Sequence, residues 1–141
     1  MCPRPRAVLA DMAFKYKKHY TVEEAREMLP QLRKWLDELN RHRRRVTQLD
    51  QRLGQMLAVG DDLGGDSVND WIKHLSGIQK NLARFQTREI QVKDLERGLV
   101  DFPAIIGGRE VFLCWEQDEE DIEYWHDLDT GYAGRERLPE A

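Results

Sequence analysis

The chain has 141 residues, of which 34% are charged and 40% hydrophobic, and this fits one small domain with a modest core. Its two cysteines, Cys2 and Cys114, form no CxxC pair, which argues against a disulfide framework and predicts a reducing, cytoplasmic location. No apolar run is long enough to cross a bilayer, and the opening MCPRPRAVLAD lacks the apolar core of a secretory signal. We expect residues 1–13 to form a disordered basic arm.

The net charge of −4 is unevenly distributed along the chain. Residues 1–58 contain 13 Lys and Arg against 7 Asp and Glu, whereas residues 59–141 contain 9 against 19. Halves of opposite charge attract each other, within one chain or between two. The acidic balance argues against nucleic acid as a partner. One basic run suits phosphate, but it lacks interleaved aromatic rings, and we interpret it as a solvated face or as the surface that meets the acidic half. This run comprises Arg41, Arg43, Arg44 and Arg45.

The first patterned segment is a predicted helix that opens with TVEEAREMLPQLR. Thr21 and Glu24 have the spacing of a capping box, in which each side chain binds the backbone N–H of the other residue. From Ala25 onward, residues at alternating steps of three and four form the a/d stripe of a coiled coil. Pro30 removes one helical N–H, so we expect a kink, or a short helix followed by a long one from about Gln31. The stripe comprises Ala25, Met28, Leu32, Trp35, Leu39, His42, Val46, Leu49, Leu53 and Met56.

A second helix is predicted to fold back on the first. Residues 60–67, GDDLGGDS, have the composition of a turn, and Ser67 with Asp70 offers a second helix cap. A short connection joins antiparallel neighbours, which predicts a helical hairpin over residues 14–88. The first helix should be longer by about one or two turns, so that a second chain covers the rest of its seam. His42 is predicted to set the register, or to be exposed. The second stripe comprises Val68, Trp71, Leu75, Ile78, Leu82 and Phe85.

Beyond the second helix the apolar period changes to two, which is typical of strands. The segment IQVKD alternates, and GLVDFPAIIGGREVFLCWE predicts two antiparallel strands around the turn formed by Gly107 and Gly108. This turn sets Asp101 opposite Cys114, on a face that also carries Pro103, Ile105, Glu110 and Phe112. Pro103 predicts an edge strand or a bulge. The opposite face is the predicted core side, and it carries Val100, Phe102, Ala104, Ile106, Val111, Leu113 and Trp115.

The last segment, IEYWHDLDTGYAGR, alternates again. This places Tyr124 and His126 on one side of a strand and Trp125 on the other. The two glycines that follow are expected to bend the chain so that Arg135 returns toward the sheet.

The tracts TVEEAREMLPQLR, VKDLERGLVDFPA, REVFLCW, YWH and GYAGR resemble the bacterial family catalogued as domain of unknown function 2203. The resemblance runs from about residue 14 to residue 138 and implies no known activity. The sequence departs from that family at two places: Glu89 stands where a Gly commonly ends the second helix, and Asp118 and Glu120 replace a Gly and a Pro, which predicts a looser acidic loop. The resemblance marks recurring polar positions at Lys93, Asp94, Asp101, Arg109, Cys114, Trp115, Glu119, Trp125, His126 and Arg135.

Two kinds of chemistry are candidates for the sheet. His126 with Asp101, Glu119 or Cys114 would supply mixed nitrogen, oxygen and sulfur ligands to a metal, although no HxxxH or CxxC spacing supports one. Cys114 and His126 also resemble a nucleophilic dyad in composition, but a cysteine in the middle of a strand is usually an inert small hydrophobe. The segment IIGGRE is a hairpin turn and not a phosphate-binding loop.

The alternative is that the polar residues hold one another in place. Asp101 would then pair with Lys93 or Arg135, and His126 would bind a backbone group or a carboxylate, because half-buried charges need partners. This interpretation is favoured. The remaining possibility is a small-ligand or anion pocket lined by Lys93, Arg109, Arg135, Trp115 and His126.

The sequence therefore predicts an α+β chain, with a helical hairpin over residues 14–88 and a small antiparallel sheet and tail over 89–141, within a single domain of residues 14–141. The predicted function is that of a non-enzymatic scaffold or interaction module acting as a homodimer, without a cofactor and without a membrane. The alternative is a small-ligand, anion or metal site on the face of Asp101, Cys114 and His126.

Overall fold

The computed structural model describes residues 14–60 and 65–139. Two helices, α1 (Val22–Ala58) and α2 (Gly65–Gln86), precede the strands β1 (Gln91–Asp94), β2 (Leu99–Ile106), β3 (Arg109–Glu116), β4 (Tyr124–Asp127) and β5 (Glu136–Arg137). The five strands form one antiparallel sheet in chain order, which confirms the predicted α+β class. Neither described helix has the apolar length needed to cross a membrane. The predicted basic arm and the centre of the predicted turn, 61–64, lie outside the described residues.

The described chain forms two compact units. The sheet unit contains the residues up to Pro30 and those from Gln86 onward, and the hairpin unit is Gln31–Phe85. Helix α1 therefore contributes its first turns to one unit and the remainder to the other.

The start of α1 is fixed by the predicted capping box. The backbone N–H of Thr21 donates to the Glu24 carboxylate over 3.0 Å, and the backbone N–H of Glu24 donates to the Thr21 hydroxyl over 3.1 Å. The helix then runs for 37 residues with Pro30 inside it, so the alternative of a short helix followed by a second one is wrong. A proline inside a helix costs about 3 kcal/mol. Leu29 and Leu32 on either side of it are both buried, and this burial favours the continuous helix.

Burial along α1 is uneven. In its first half, buried residues recur at a spacing that gives a broader face than a strict a/d stripe. They are Ala25, Leu29, Leu32, Trp35, Leu36 and Leu39. In the second half Leu49 is buried, whereas the stripe residues Val46, Leu53 and Met56 are half-buried. The end of the helix is therefore less covered than its beginning.

The hairpin unit is antiparallel, as predicted. Trp35 near its start packs edge-on against Phe85 near its end, and Arg45 donates to Asp70 closer to the turn. Ser67 lies inside α2, which already includes Gly65, so the prediction that Ser67 caps this helix is wrong. Helix α2 has 22 residues against the 37 of α1, a larger difference than the predicted one or two turns.

His42 occupies a defined place between the two helices of the hairpin unit. Its Nδ1 lies 2.8 Å from the Nδ1 of His74, and its ring sits against Gly77, where an added Cβ would fall 2.6 Å from the His42 Nε2. Since only glycine leaves room for the ring, His42 and Gly77 fit one alignment of the helices. This supports the predicted role of His42 in setting the register.

The register between β2 and β3 is the predicted one. Ile106 lies opposite Arg109, Phe102 opposite Leu113, and Asp101 opposite Cys114. Both faces of this pair are covered, because residues 100–104 and 111–115 are all buried. The face that carries Asp101 and Cys114 is therefore buried at these residues, although its polar side chains suggested partial exposure.

Pro103 lies in the part of β2 that has no neighbour on the β1 side, because β1 pairs with residues 99–101 only. There the backbone carbonyl of Pro103 accepts from the Tyr20 N–H over 2.7 Å. The predicted local edge is confirmed, and the irregular register of this sheet lies elsewhere, between Val92 and Asp94.

Candidate functional site

The sheet register brings Asp101, Cys114 and His126 to one face. Asp101 of β2 is directly opposite Cys114 of β3, and Phe112, two residues before Cys114, is opposite His126 of β4. Because side chains alternate along a strand, residues that are directly paired or two apart share a face. Three adjacent strands thus each contribute one polar side chain to the same small region.

The three side chains form a compact buried cluster, which we call the Asp-Cys-His cluster. One carboxylate oxygen of Asp101, the Cys114 Sγ and one ring nitrogen of His126 all lie within 4.8 Å of one another. Asp101 and His126 are each 2% exposed, and Cys114 is fully buried. Within residues 14–60 and 65–139, this is the one group of three His, Cys, Asp or Glu residues with donor atoms this close.

Hydrogen bonds define the orientation of the His126 ring. Its Nδ1 lies 2.6 Å from the backbone carbonyl of Asp127, and its Nε2 lies 3.0 Å from the Asp101 Oδ2. A carbonyl only accepts, so Nδ1 carries a proton and donates it to Asp127. Burial alone would lower the pKa of His126, but the hydrogen bonds to Asp101, Cys114 and Asp127 raise it to about 10. The cluster therefore holds an imidazolium beside a carboxylate at neutral pH.

One atom of the cluster lacks a partner. The Asp101 Oδ1 is buried and has no hydrogen bond from any described residue. A buried carboxylate oxygen without a donor is destabilising, because it has lost its water and received nothing in return. Buried oxygens of this kind occur in strained structural clusters and in ligand sites.

Arg135 and Glu119 border the cluster next to Cys114. The Arg135 guanidinium bonds both Glu119 oxygens, at 3.2 and 3.1 Å, and lies 3.9 Å from the centre of the Tyr124 ring. Burial alone would lower the pKa of Arg135, but the bonds to Glu119 and a hydrogen bond to Cys114 raise it. The chain thus returns Arg135 to the sheet, as predicted, and brings its positive charge to the thiol.

The other predicted site residues have contacts outside the cluster. Lys93 is exposed, with its Nζ 5.3 Å from the centre of the Phe112 ring. Asp94 accepts two backbone N–H groups of the turn after β1, and Arg109 forms an exposed ion pair with Asp127. Trp115 lies in the core and donates its ring N–H to the Glu119 carbonyl.

The expected partners of Asp101 need correction. Asp101 was expected to pair with Lys93 or Arg135, whereas its partner in the structure is His126. Glu119, considered as a metal ligand, is bound instead by Arg135. The expectation that His126 binds a backbone group or a carboxylate is confirmed, since it binds one of each.

Two anchoring carboxylates were not anticipated from the sequence. Glu110 accepts the backbone N–H groups of Lys15 and Tyr16 at 2.7 and 2.9 Å, and its other contact is the His19 ring at 2.7 Å. Glu89 accepts the backbone N–H groups of the next two residues, Lys17 and Lys18. These contacts join residues more than 70 positions apart, and no local pattern in the sequence signals them.

A family model described as "Uncharacterized conserved protein (DUF2203)" matches residues 18–138. The chain belongs to this family. No curated protein and no solved structure matches it. Membership in DUF2203 carries no assigned activity.

Two positions singled out in the sequence have structural counterparts. Glu89 has a φ of 58° just after α2, in the left-handed region that glycine adopts without strain. The acidic loop is held by Glu119, whose carboxylate accepts the Glu116 N–H over 2.8 Å and whose own N–H donates to the Glu116 carbonyl. This loop is therefore not loose around Glu119, although Asp118 and Glu120 flank it.

The arrangement suits cation binding better than nucleophilic catalysis. Cys114 is fully buried, and both ring nitrogens of His126 are already engaged, by the Asp127 carbonyl and the Asp101 carboxylate, so neither is free to act as a base toward the thiol. The cluster instead presents a carboxylate, a thiol and an imidazole, which are three potential ligands for a positive ion.

Proposed function

We propose that this protein is a non-enzymatic, cytoplasmic interaction module that acts as a homodimer, with the hairpin unit as its dimer surface. One observation carries the proposal: the apolar stripe of α2 is only half-covered. Five of its six members, all except Phe85, are partly exposed to solvent. They are Val68, Trp71, Leu75, Ile78 and Leu82.

The uncovered apolar surface extends toward the end of the hairpin unit. Ile72 on α2 is 53% exposed, and Leu57 and Val59 near the end of α1 are 63% and 72% exposed. Two helices have too few neighbours to bury a stripe that is this wide. A second hairpin would complete a four-helix arrangement, in which each stripe faces the centre.

A second copy of this chain is the occupant that the charge favours. The half up to residue 58 has a net charge of +6 and the other half −10. Within the hairpin unit, residues 31–58 have 7 Lys and Arg against 3 Asp and Glu, and residues 59–85 have 3 against 4. A two-fold dimer that sets α1 of one copy against α2 of the other therefore brings a basic segment onto a weakly acidic one twice. The free and buried Cys114 suits a reducing compartment.

Light scattering coupled to size exclusion at several salt concentrations tests this proposal. We expect the mass of a dimer, which Ile72→Glu combined with Leu57→Glu converts to that of a monomer with unchanged helical content. Ile105→Glu is the matched control, since Ile105 is an exposed apolar residue, 40% accessible, of the sheet unit. A monomer at every salt and protein concentration would refute the dimer.

A second function, a ligand site at the Asp-Cys-His cluster, is favoured by the partnerless Asp101 Oδ1. A purely structural cluster gains nothing from an unsatisfied buried oxygen, whereas a binding site keeps one for its ligand. With a carboxylate and a thiol as two of its three groups, the cluster selects a cation and not an anion. The removal of the Asp101 charge tests this function. If the cluster is structural, Asp101→Asn lowers stability; if it is a ligand site, the variant without ligand is as stable as the wild type or more so.

A further inference from the structure

We infer that the ligand of the Asp-Cys-His cluster is a zinc ion, bound by the Asp101 carboxylate, the Cys114 thiolate and the His126 Nε2. The inference rests on the proposed ligand site and names its occupant. Zinc prefers thiolate, imidazole and carboxylate ligands, whereas magnesium and calcium prefer oxygen ligands alone. A buried thiol beside an imidazole therefore points to zinc among the common divalent ions.

The donor atoms already lie near the spacing that a tetrahedral zinc site needs. Zinc bonds of about 2.0–2.3 Å place neighbouring ligand atoms roughly 3.3–3.8 Å apart. In the cluster all donor atoms lie within 4.8 Å of one another, and His126 Nε2 lies 3.0 Å from Asp101 Oδ2. Shifts of about 1 Å would bring the three onto one ion.

The far side of the His126 ring is also arranged as in a metal site. A metal-binding histidine usually donates its other N–H to a carbonyl or carboxylate, which fixes the ring and its tautomer. His126 donates Nδ1–H to the Asp127 carbonyl, which leaves Nε2 pointing at Asp101. The nitrogen that faces the cluster is thus the one that a metal would take.

Zinc binding releases protons from its ligands. The Cys114 thiol must lose its proton to become a thiolate, and the His126 Nε2 must be free of a proton to bind the ion, so these protons leave to solvent as the ion enters. The two positive charges of the ion then balance the Asp101 carboxylate and the Cys114 thiolate, and the occupied site places no net charge in this buried region.

Arg135 and Glu119 flank the zinc position without occupying it. Their ion pair is complete, and the Arg135 guanidinium lies beside Cys114. Glu119 is committed to Arg135, so it offers a control residue close to the site that is not a ligand.

The test uses the purified full chain, stripped with a chelator and titrated with zinc and with cobalt. We expect one zinc per chain and a cobalt spectrum with a sulfur-to-metal charge-transfer band. Cys2→Ser should keep this band, which assigns the sulfur to Cys114, the other cysteine of the sequence, without altering the core. Cys114→Ser should lose the charge-transfer band and weaken zinc binding more than about 100-fold. Loss of a residue that only hydrogen-bonds to a metal ligand usually costs less than this. Glu119→Gln should bind zinc as the wild type does.

Several results would overturn the zinc assignment. These are no stoichiometric zinc, a cobalt spectrum without a sulfur band, or an equal loss in Glu119→Gln. If Cys114→Ser fails to fold, the cobalt spectra of the wild type and of Cys2→Ser still show whether the Cys114 sulfur binds the metal. The stability of Asp101→Asn in chelator distinguishes a failure of the zinc assignment from a failure of the ligand site itself. A stable variant with no zinc bound by the wild type refutes zinc but keeps a ligand site, whereas a destabilised variant with no zinc bound refutes both.

Discussion

The His126 Nε2 lies 3.0 Å from the Asp101 Oδ2, and each residue is 2% exposed, so the two form a buried ion pair between β2 and β4. These strands are not neighbours, because β3 lies between them. The pair spans β3 at Cys114, which fixes the three strands relative to one another on this face. The two partners are not equivalent. One carboxylate oxygen of Asp101 has no hydrogen bond, whereas both ring nitrogens of His126 have a partner.

Removal of His126 should destabilise the metal-free protein more than neutralisation of Asp101. His126→Leu leaves a buried carboxylate with no cation, and a buried charge that has lost its partner typically costs about 3–5 kcal/mol. Asp101→Asn instead supplies an amide that donates to the neutral ring, so any loss of stability in this variant should be smaller than in His126→Leu by at least about 1 kcal/mol. Urea unfolding of both variants in chelator measures the difference. Equal losses of unfolding free energy in the two variants would contradict the expected difference between His126 and Asp101.

The acid stability of the sheet unit should depend on Glu110. Burial alone would raise the pKa of Glu110, but the hydrogen bonds from His19 and from the N–H groups of Lys15 and Tyr16 lower it below its usual value. A carboxyl with a lowered pKa in the folded state stabilises fully above its unfolded pKa, near 4.5, and this stabilisation disappears as the pH falls through the lower folded value.

The comparison of Glu110→Gln with the wild type measures this contribution. At pH 7 the variant should be less stable by about 1–3 kcal/mol, because charged acceptors are stronger than neutral ones. The difference in the free energy of unfolding between the two proteins should become smaller as the pH falls below about 4, where the wild-type carboxyl also becomes neutral. Glu96→Gln, at an exposed position on a turn, is the control. A gap that stays constant from pH 7 to pH 3 would show that Glu110 acts through packing alone.

Whether a residue of the site could be placed from the sequence depends on the connection that precedes its strand. Gly107 and Gly108, with φ of 58° and 77°, form the two-residue turn that the sequence predicted, and a turn of fixed length sets the register. Asp101 therefore had to face Cys114. His126 follows an acidic loop of irregular length, so its strand was predictable but its pairing with Asp101 was not.

The helices show the same limit. The capping box at Thr21 depends on residues three positions apart and was predictable. The continuity of α1 through Pro30 was not, because it depends on the burial of Leu29 and Leu32, which no local rule contains. Local propensity is outweighed wherever tertiary packing buries enough apolar surface.

Glu89 combines backbone strain with a useful side chain, and two substitutions separate these effects. Among the described residues it is the one non-glycine with positive φ. Glu89→Ala and Glu89→Gly both lose the carboxylate that accepts the N–H groups of Lys17 and Lys18. Only the glycine relieves the left-handed conformation, so it should be more stable than the alanine by about 1 kcal/mol. Thermal unfolding of the two proteins checks this, and an alanine variant that is as stable as the glycine would count against strain at this position.

The contact between His42 and Gly77 means that Gly77→Ala should change the stability of the protein in opposite directions with and without the His42 ring. In an ordinary helix interior, replacement of Gly by Ala stabilises by about 0.5–1 kcal/mol. At Gly77 the new Cβ would lie 2.6 Å from the His42 Nε2, closer than atoms tolerate, so the ring has to move and its 2.8 Å contact with the His74 Nδ1 is lost. Gly77→Ala should therefore destabilise the hairpin unit, by roughly 1–3 kcal/mol as for other overpacked sites.

His42→Ala removes the obstacle, so the same Gly77→Ala change should become stabilising in that background. A double-mutant cycle from urea unfolding of the four proteins isolates the coupling between the two positions, expected at more than about 1 kcal/mol. Gly54→Ala is the matched control, since an added Cβ there meets nothing within 4 Å and should stabilise in either background. Additive effects of the His42 and Gly77 substitutions would mean that the ring and the glycine do not fix the alignment of the two helices.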